Sequence, residues 1–327
     1  MTNQVPQAFT TPDFETLLTN YKQHVIEYVA AKDPDNREAV TEALNNEGEL
    51  LAQVLEALMT KRLAEKREDN HQALQMFRRF VTESEMVDLL ALQYNLKRQT
   101  IEPADTSVFP PKPAVMESDE DLLRRFDLAP YQFHTTGTRM GYKFHALTLD
   151  ERPTISIETT ETGVLMRYDF PTESQPALVK DAEPRMREPN SGKVDVALLS
   201  RETEDGTPSA ALIARAEQYL NRDDIAQESD EITVVPARIT PYRIHATLFT
   251  GGEPAHDVNQ ADAVATAQQF AESQHRLNTR IDRLKLGELL YSLNPKRVEL
   301  HEPAADIVCD WDEAPHCTEV IIDVKAN

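Results

Sequence analysis

The chain has 327 residues, of which 40% are hydrophobic and 28% are charged, a composition typical of a globular protein long enough for two or more domains. Its 34 basic and 56 acidic side chains give a net charge of −22, so its surface repels nucleic-acid phosphates and anionic membranes and suits partners that carry basic patches. Two cysteines, no apolar leader and no apolar run of about 18 residues predict a soluble protein made in a reducing compartment, without a disulfide framework or a membrane span.

The N-terminal third is predicted to be helical. From Asp13 to about Lys97, apolar residues recur at spacings of three and four, which is the period of one helix face. The sequence KDPDN at Lys32–Asn36 interrupts the first helix. Together with the polar residues that precede it, this region predicts a helical arm over residues 1–103.

The second helical pattern of the arm carries an apolar stripe. It consists of Leu50, Leu51, Val54, Leu55, Leu58 and Met59. It runs into the charged stretch Lys61–Asn70, which is polar nearly all round and is therefore either solvated or paired with a partner. We interpret the stripe as a partner-binding surface that joins the arm to other proteins. The alternative is that it packs inside the arm's own helical bundle.

A Pro-rich linker is predicted over residues 104–117, and a new segment starts at Ser118. Ser118 followed by Asp121 is a capping-box pattern, which predicts a helix start. This short helix ends at Ala129–Pro130, and a second short helical pattern follows it.

A β-rich, partly irregular lobe completes the predicted segment 118–192. Alternating residues over Thr154–Phe170 predict two strands joined around Gly163. Four prolines and many charges predict a loop over Pro171–Gly192.

Residues 193–327 alternate strand and helix patterns, which predicts layered α+β modules. One of these helices is predicted to have Thr207 as its N-cap and Pro208 at its first position. The predicted fold class is therefore α+β, with an N-terminal helical arm followed by layered α+β modules.

Motifs that carry chemistry are missing from the sequence. It contains nine glycines, and none of the patterns G-x-S-x-G, G-x-x-x-x-G-K-[ST], G-x-G-x-x-G or H-E-x-x-H. Neither a nucleophile elbow nor a phosphate-binding loop is therefore encoded in these familiar forms. The scarcity of glycine and these missing motifs argue against a nucleotide-binding enzyme.

Two sets of residues resemble metal ligands. His301, Cys309, His316 and Cys317 are of the types that bind zinc, but their spacing lacks the close cysteine pair of structural zinc sites. The segment Asp33–Asn36 lacks the glycine and the closing glutamate of a calcium loop, and we interpret it as an interhelical turn. Buried thiols and surface histidines explain the first set, so no metal is predicted.

Three stretches carry a likeness to a known family. They are ESDEDLLRRF at 117–126, YKFHAL at 142–147 and LLSRETEDGTPSAALI at 198–213. In this order they resemble the baseplate J-like family of contractile phage tails, and the likeness extends over residues 44–149 and 194–327. Residues 150–192 look longer and more irregular than the family's usual connection, and their role is left open.

The resemblance implies a structural component of the baseplate wedge, in a phage or a phage-derived injection particle. Such a protein pairs with a second copy of itself and with other wedge proteins, and the wedges join around a hub close to the sheath. It implies assembly in the host cytoplasm, residence in the virion or tail particle, and no catalytic or cofactor-binding residues. The copy number stays open.

Two alternatives remain at this stage. One is a metal-dependent soluble hydrolase that uses the region around Cys309 and His316. The other is an assembly factor that is absent from the finished particle.

Overall fold

The structure is a computed structural model that describes residues 5–133, 137–151, 154–160, 163–169, 177–251 and 258–326. The chain divides into two compact units, Met1–Gln93 and Tyr94–Asn327. Among the described residues, the first unit is helical and the second mixes helices with small sheets. The predicted α+β class with an N-terminal helical arm is therefore confirmed.

The first unit contains four α-helices within its described part. They are α1 (Phe14–Lys32), α2 (Arg37–Asn45), α3 (Leu50–Gln75) and α4 (Ser84–Ala91). Helix α1 begins at Asp13, whose carboxylate accepts a hydrogen bond from the Thr16 N–H at 2.9 Å. The predicted break after α1 is a single 3-10 turn, Pro34–Asn36.

Helices α1, α2 and α3 share one core. Leu18 of α1, Leu44 of α2, and Leu55 and Met59 of α3 are its buried members. Because these residues recur at helical spacing, each helix turns one face toward the other two. The far end of α3 is tied to the start of α4 by Gln75, whose side-chain oxygen accepts from the N–H groups of Thr82 at 2.7 Å and of the N-cap Glu83 at 3.2 Å.

The second unit alternates helices and strands. The helices are α5 (Asp119–Leu128), α6 (Arg139–Leu147), α7 (Ala210–Leu220), α8 (Gln260–Gln274) and α9 (Arg283–Tyr291). The strands are β1 (Thr100–Glu102), β2 (Val115–Met116), β3 (Thr154–Thr160), β4 (Gly163–Asp169), β5 (Val179–Met186), β6 (Lys193–Ser200), β7 (Glu231–Pro236), β8 (Arg238–Thr250), β9 (Arg280–Ile281), β10 (Arg297–Glu302), β11 (Ile307–Val308) and β12 (Glu313–Ala326).

Two three-stranded sheets organise this unit. The first has the order β5-β6-β7, with β5 antiparallel and β7 parallel to β6, so that α7 forms the crossover between the parallel strands. The second has the order β10-β8-β12, with β10 antiparallel and β12 parallel to β8. The pairs β1-β2, β3-β4 and β9-β11 form two-stranded sheets.

The core of the second sheet lies on one of its faces. Alternate residues of β8, from Tyr242 to Leu248, are buried with Ile322 of β12 against α8 and α9. Phe270 of α8 and Leu286 of α9 belong to the same cluster. The other face of the sheet carries polar residues such as Arg243 and Glu319. This alternation is what an antiparallel or mixed sheet covered on one side requires.

The two sheets are joined through one residue. Ala237 is the only residue between β7 and β8, and its N–H donates to the Leu198 carbonyl oxygen at 3.0 Å. The next N–H, of Arg238, donates to the Asp312 carbonyl oxygen at 2.8 Å. The Arg238 guanidinium also holds the Asp312 carboxylate through two bonds of 2.7 Å. The chain therefore passes from one sheet to the other without a free loop.

The structure corrects the predicted loop over Pro171–Gly192. Val179–Met186 is strand β5, which pairs with β6 over its length and buries Val179 and Ala182. The prediction was wrong because charged residues and a proline, which β5 contains, are more typical of loops. Asp181, for example, is fully buried, but cations from other parts of the chain neutralise it.

The start of α7 is also corrected. Its N-cap is Ser209, whose hydroxyl oxygen accepts from the Leu212 N–H at 3.1 Å, two residues later than predicted. Thr207 instead closes a turn, in which its N–H donates to the Asp205 carboxylate at 3.0 Å. Pro208 precedes the cap and lies outside the helix.

Candidate assembly surface

The sequence-predicted stripe on α3 separates into two faces. Because successive residues turn by about 100° on a helix, positions 50, 51, 54 and 58 share one side, while 55 and 59 lie roughly a third of a turn away. Leu50 is 73% exposed, Leu51 41%, Val54 48% and Leu58 55%. Leu55 and Met59 are only 7% and 4% exposed, since they pack in the core with Leu18 and Leu44.

The four exposed side chains form what we call the α3 outer stripe: Leu50, Leu51, Val54 and Leu58. One turn beyond it the same side of the helix becomes charged, with Lys61 and Arg62 each 3.8 Å from the Glu65 carboxylate. Such exposed pairs contribute little to stability, but they leave that end of the helix hydrated. The outer stripe is thus an apolar patch with a charged border, the usual anatomy of a contact surface.

The stretch ESDEDLLRRF has a different role, because its charged residues hold the second unit together. Arg125 of α5 is 2% exposed and donates from Nε and Nη2 to the Glu117 carboxylate at 2.9 and 2.8 Å. A third nitrogen, Nη1, donates to Glu151 at 3.0 Å. Burial acts to lower the pKa of Arg125, but the attraction of Glu151 and Glu117 raises it above its ordinary value.

Further charges of this stretch reach distant elements. Arg124 donates to the buried Asp181 of β5 at 2.7 Å, and the second Asp181 oxygen accepts from the Leu277 N–H at 3.1 Å. Asp121 accepts from Arg276 at 3.1 Å. The Ser118 cap is as predicted, since its hydroxyl oxygen accepts from the Asp121 N–H at 3.2 Å. The motif is therefore a structural framework that fastens α5 to β5 and to the end of α8.

The candidate zinc ligands are held in different places. The His301 ring lies 4.8 Å from the His245 ring, whereas the His316 ring lies 5.3 Å from the His275 ring. Burial raises the pKa of the Cys309 thiol to about 11, which keeps it in the thiol form that binds metal poorly. Across the described residues, no group of three or more His, Cys, Asp or Glu side chains is arranged to hold a metal ion.

One buried histidine, His275, has a pKa well below the ordinary value. It is buried, its Nδ1 lies 3.0 Å from the Lys180 ammonium, and its Nε2 lies 3.2 Å from the Asp205 carbonyl oxygen. Burial and the neighbouring Lys180 cation lower its pKa to about 4. The neutral ring accepts from Lys180 and donates to Asp205, so it joins β5 to the turn before α7.

Sequence reasoning found the stripe but missed the buried charges. Charged side chains are rarely buried without a partner, and the local sequence around Arg125 and Asp181 offers no sign of one. Their partners are brought in by folding and carry no local signal. The spacing of the stripe did hold the needed information, because 51, 54 and 58 differ in phase from 55 and 59.

This arrangement is typical of a structural protein. Its buried ion pairs hold elements of the second unit together, and the α3 outer stripe leaves an apolar helix face exposed in the first unit. No helix in the described part of the chain is long and apolar enough to cross a bilayer.

Comparison with known proteins identifies the family. No protein-family profile matches the chain. Baseplate protein J of Escherichia phage P2 is 30% identical over 314 residues, which cover 96% of this chain and 93% of that protein. The chain therefore belongs to the baseplate J-like family, and its role is that of a baseplate structural protein.

Proposed function

We propose that this protein is a wedge component of a contractile-tail baseplate. In this proposal it assembles with a second copy of itself and with other wedge proteins, and the wedges surround the hub near the sheath. Assembly takes place in the host cytoplasm, and the protein stays in the finished tail of a phage or a phage-derived injection particle. The observation that carries the proposal is the likeness to baseplate protein J over nearly the whole of both chains.

The α3 outer stripe supports the proposal as the contact of the helical arm. Burying a leucine completely contributes about 1.5–3 kcal/mol of transfer free energy. Covering the exposed row of three leucines and one valine in a complex would therefore contribute several kcal/mol to association. Leu55 and Met59 are then assigned to the arm's own core, and they act on the contact only by holding α3 in place.

The net charge supports partners with basic surfaces. A chain with a charge of −22 repels its own kind at long range, so contacts with other proteins are favoured where those proteins present lysine and arginine. Local complementarity must overcome this repulsion wherever two copies meet.

The test is to co-express the chain with the proteins encoded beside its gene, and to identify the proteins of purified tail particles by mass spectrometry. We expect a soluble complex with at least one other wedge protein, and the chain itself in intact particles. A chain that co-purifies with none of its neighbours would refute the proposal. A chain that forms the complex but is absent from the particles would be an assembly factor, and stoichiometric zinc with hydrolytic turnover would support the hydrolase.

A further inference from the structure

Strand β12 (Glu313–Ala326) ends a sheet. In the order β10-β8-β12 it hydrogen bonds to β8 on one side, and none of the other described strands pairs with its other side. An edge strand presents main-chain N–H and C=O groups that can accept a further strand. The register with β8 shifts between Cys317 and Glu319 and is regular beyond that point. The regular edge therefore runs from Glu319 to the end of the strand.

Beyond the register shift, the protection of this edge is limited to charged side chains. Its sequence from Glu319 to Lys325 is EVIIDVK, without a proline. The main chain of β12 accepts one hydrogen bond from a side chain outside the sheet. The exposed Gln260 at the start of α8 donates to the Ile322 carbonyl oxygen at 2.7 Å. An exposed glutamine can turn away into water, so the cover is removable.

The geometry points to a second copy of this chain as the occupant, with two β12 strands paired antiparallel about Ile322. In that register Ile322 lies opposite its own copy, Val320 lies opposite Val324, and Glu319 lies opposite Lys325. The pairing is isologous, so the Glu319–Lys325 pair forms twice across a two-fold axis. Directly opposed side chains of opposite charge stabilise a sheet.

The faces of the strand agree with this register. Residues 319 and 325 are separated by an even number, so both lie on the polar face of the sheet. Val320 and Ile322 lie on the other face, where Ile322 is buried in the core and Val320 packs against it. Pairing therefore joins the two cores on one face and the two ion pairs on the other, and gives one six-stranded sheet.

Neighbouring registers are disfavoured by charge. A shift by two residues in one direction places Glu319 opposite Asp323, and a shift in the other direction places Asp323 opposite its own copy. Like charges that face each other directly destabilise a sheet, so the register about Ile322 is selected.

The surroundings of Glu319 also favour an incoming lysine. With Glu204 and Glu272 it lines a cleft of about 270 Å³ between α8 and β12. Glu319 is 3.7 Å from Arg243 but stays largely exposed, and the Lys325 ammonium has no ion-pair partner among the described residues. A second copy would bring Lys325 to the mouth of this acidic cleft.

This inference deepens the proposed function, because it locates the contact between two copies at strand β12. It rests on the proposed function only for the statement that two copies associate. The test uses the full chain and measures self-association by sedimentation equilibrium. Glu319→Lys and Lys325→Glu each place like charges opposite each other twice, so each variant alone should dimerise roughly 10-fold more weakly than the wild type. An equimolar mixture of the two restores both ion pairs and should dimerise like the wild type.

The matched control is Glu302→Lys. Glu302 also pairs with Arg243, at 3.1 Å, but it lies on β10 at the opposite edge of the sheet, so its reversal should leave the dimer unchanged. The inference is overturned if the wild type stays monomeric up to ~100 µM. It is equally overturned if the single reversals dimerise normally, or if mixing them restores nothing. These results leave the presence of the chain in tail particles untouched, so the proposed function stands or falls separately.

Discussion

Placing a carboxylate on the α3 outer stripe should separate assembly from folding. In Leu58→Asp the new carboxylate would lie one turn before Lys61 and Arg62, and such i,i+3 and i,i+4 pairs each stabilise a helix by about 0.2–0.5 kcal/mol. The lower helix propensity of aspartate costs a similar amount. Since the Leu58 side chain is 55% exposed, little packing is lost. We therefore expect the free energy of unfolding to change by less than about 1 kcal/mol.

The effect on assembly should be much larger. Covering the exposed half of a leucine contributes about 1 kcal/mol or slightly more to a contact, and burying an unpaired carboxylate costs several kcal/mol. A loss of about 3 kcal/mol weakens association by roughly 100-fold. The measurement is the amount of the proposed wedge partner that co-purifies with the variant at equal expression.

The matched control is Leu55→Ala on the inward face of the same helix. Leu55 is buried with Leu18 and Leu44, so this truncation should cost about 2–5 kcal/mol of folding free energy, measured by urea unfolding of the arm transition. If Leu58→Asp unfolds the arm as much as Leu55→Ala does, the two faces belong to one common core. If Leu58→Asp binds its partners normally, the outer stripe is not the contact.

Three further outcomes follow from the second unit. Arg125→Ala leaves the carboxylate of Glu117 buried without its partner and should lower the free energy of unfolding in urea by about 3–5 kcal/mol. The double change Arg125→Met with Glu117→Leu should recover most of that loss, and a double variant as unstable as Arg125→Ala would contradict the buried pair. The folded pKa of His275 is about 4 against an ordinary 6.5, so protonation favours the unfolded chain and stability should fall by about 3 kcal/mol as the pH drops from 6.5 to 4. His275→Gln should remove that part of the acid sensitivity, and an unchanged pH profile would refute the buried neutral ring. Cys309, with its pKa near 11, should react with a thiol reagent at pH 8 only after denaturation, and rapid labelling of Cys309 itself in the native chain, rather than of the half-buried Cys317, would contradict its burial.

Local signals in the sequence were sufficient for the elements that depend on local chemistry. The Ser118 cap, the end of α5 near Ala129 and the paired strands β3 and β4 are all present as predicted. Each depends on residues close together in the chain, such as a hydroxyl three residues before an N–H or an apolar residue at every second position. The pattern and the structure therefore agree.

Long-range pairing explains the failures. Strand β5 carries Asp181, Glu183 and Arg185, and the burial of Asp181 is stable only because Arg124 of α5 and Lys143 of α6 pair with it. No window of the sequence contains both halves of these pairs. The division of the α3 stripe between core and surface likewise depends on where α1 and α2 pack, although helix phase already separates the two sets.

The single-residue joint at Ala237 has a mechanical consequence. The N–H groups of Ala237 and Arg238 are both hydrogen bonded, and the Arg238 side chain holds the Asp312 carboxylate. These bonds restrain rotation of the backbone at the joint. A torque applied to β7 is passed straight into β8 and on to β12. We therefore expect the two three-stranded sheets to respond to a load as one stiff body.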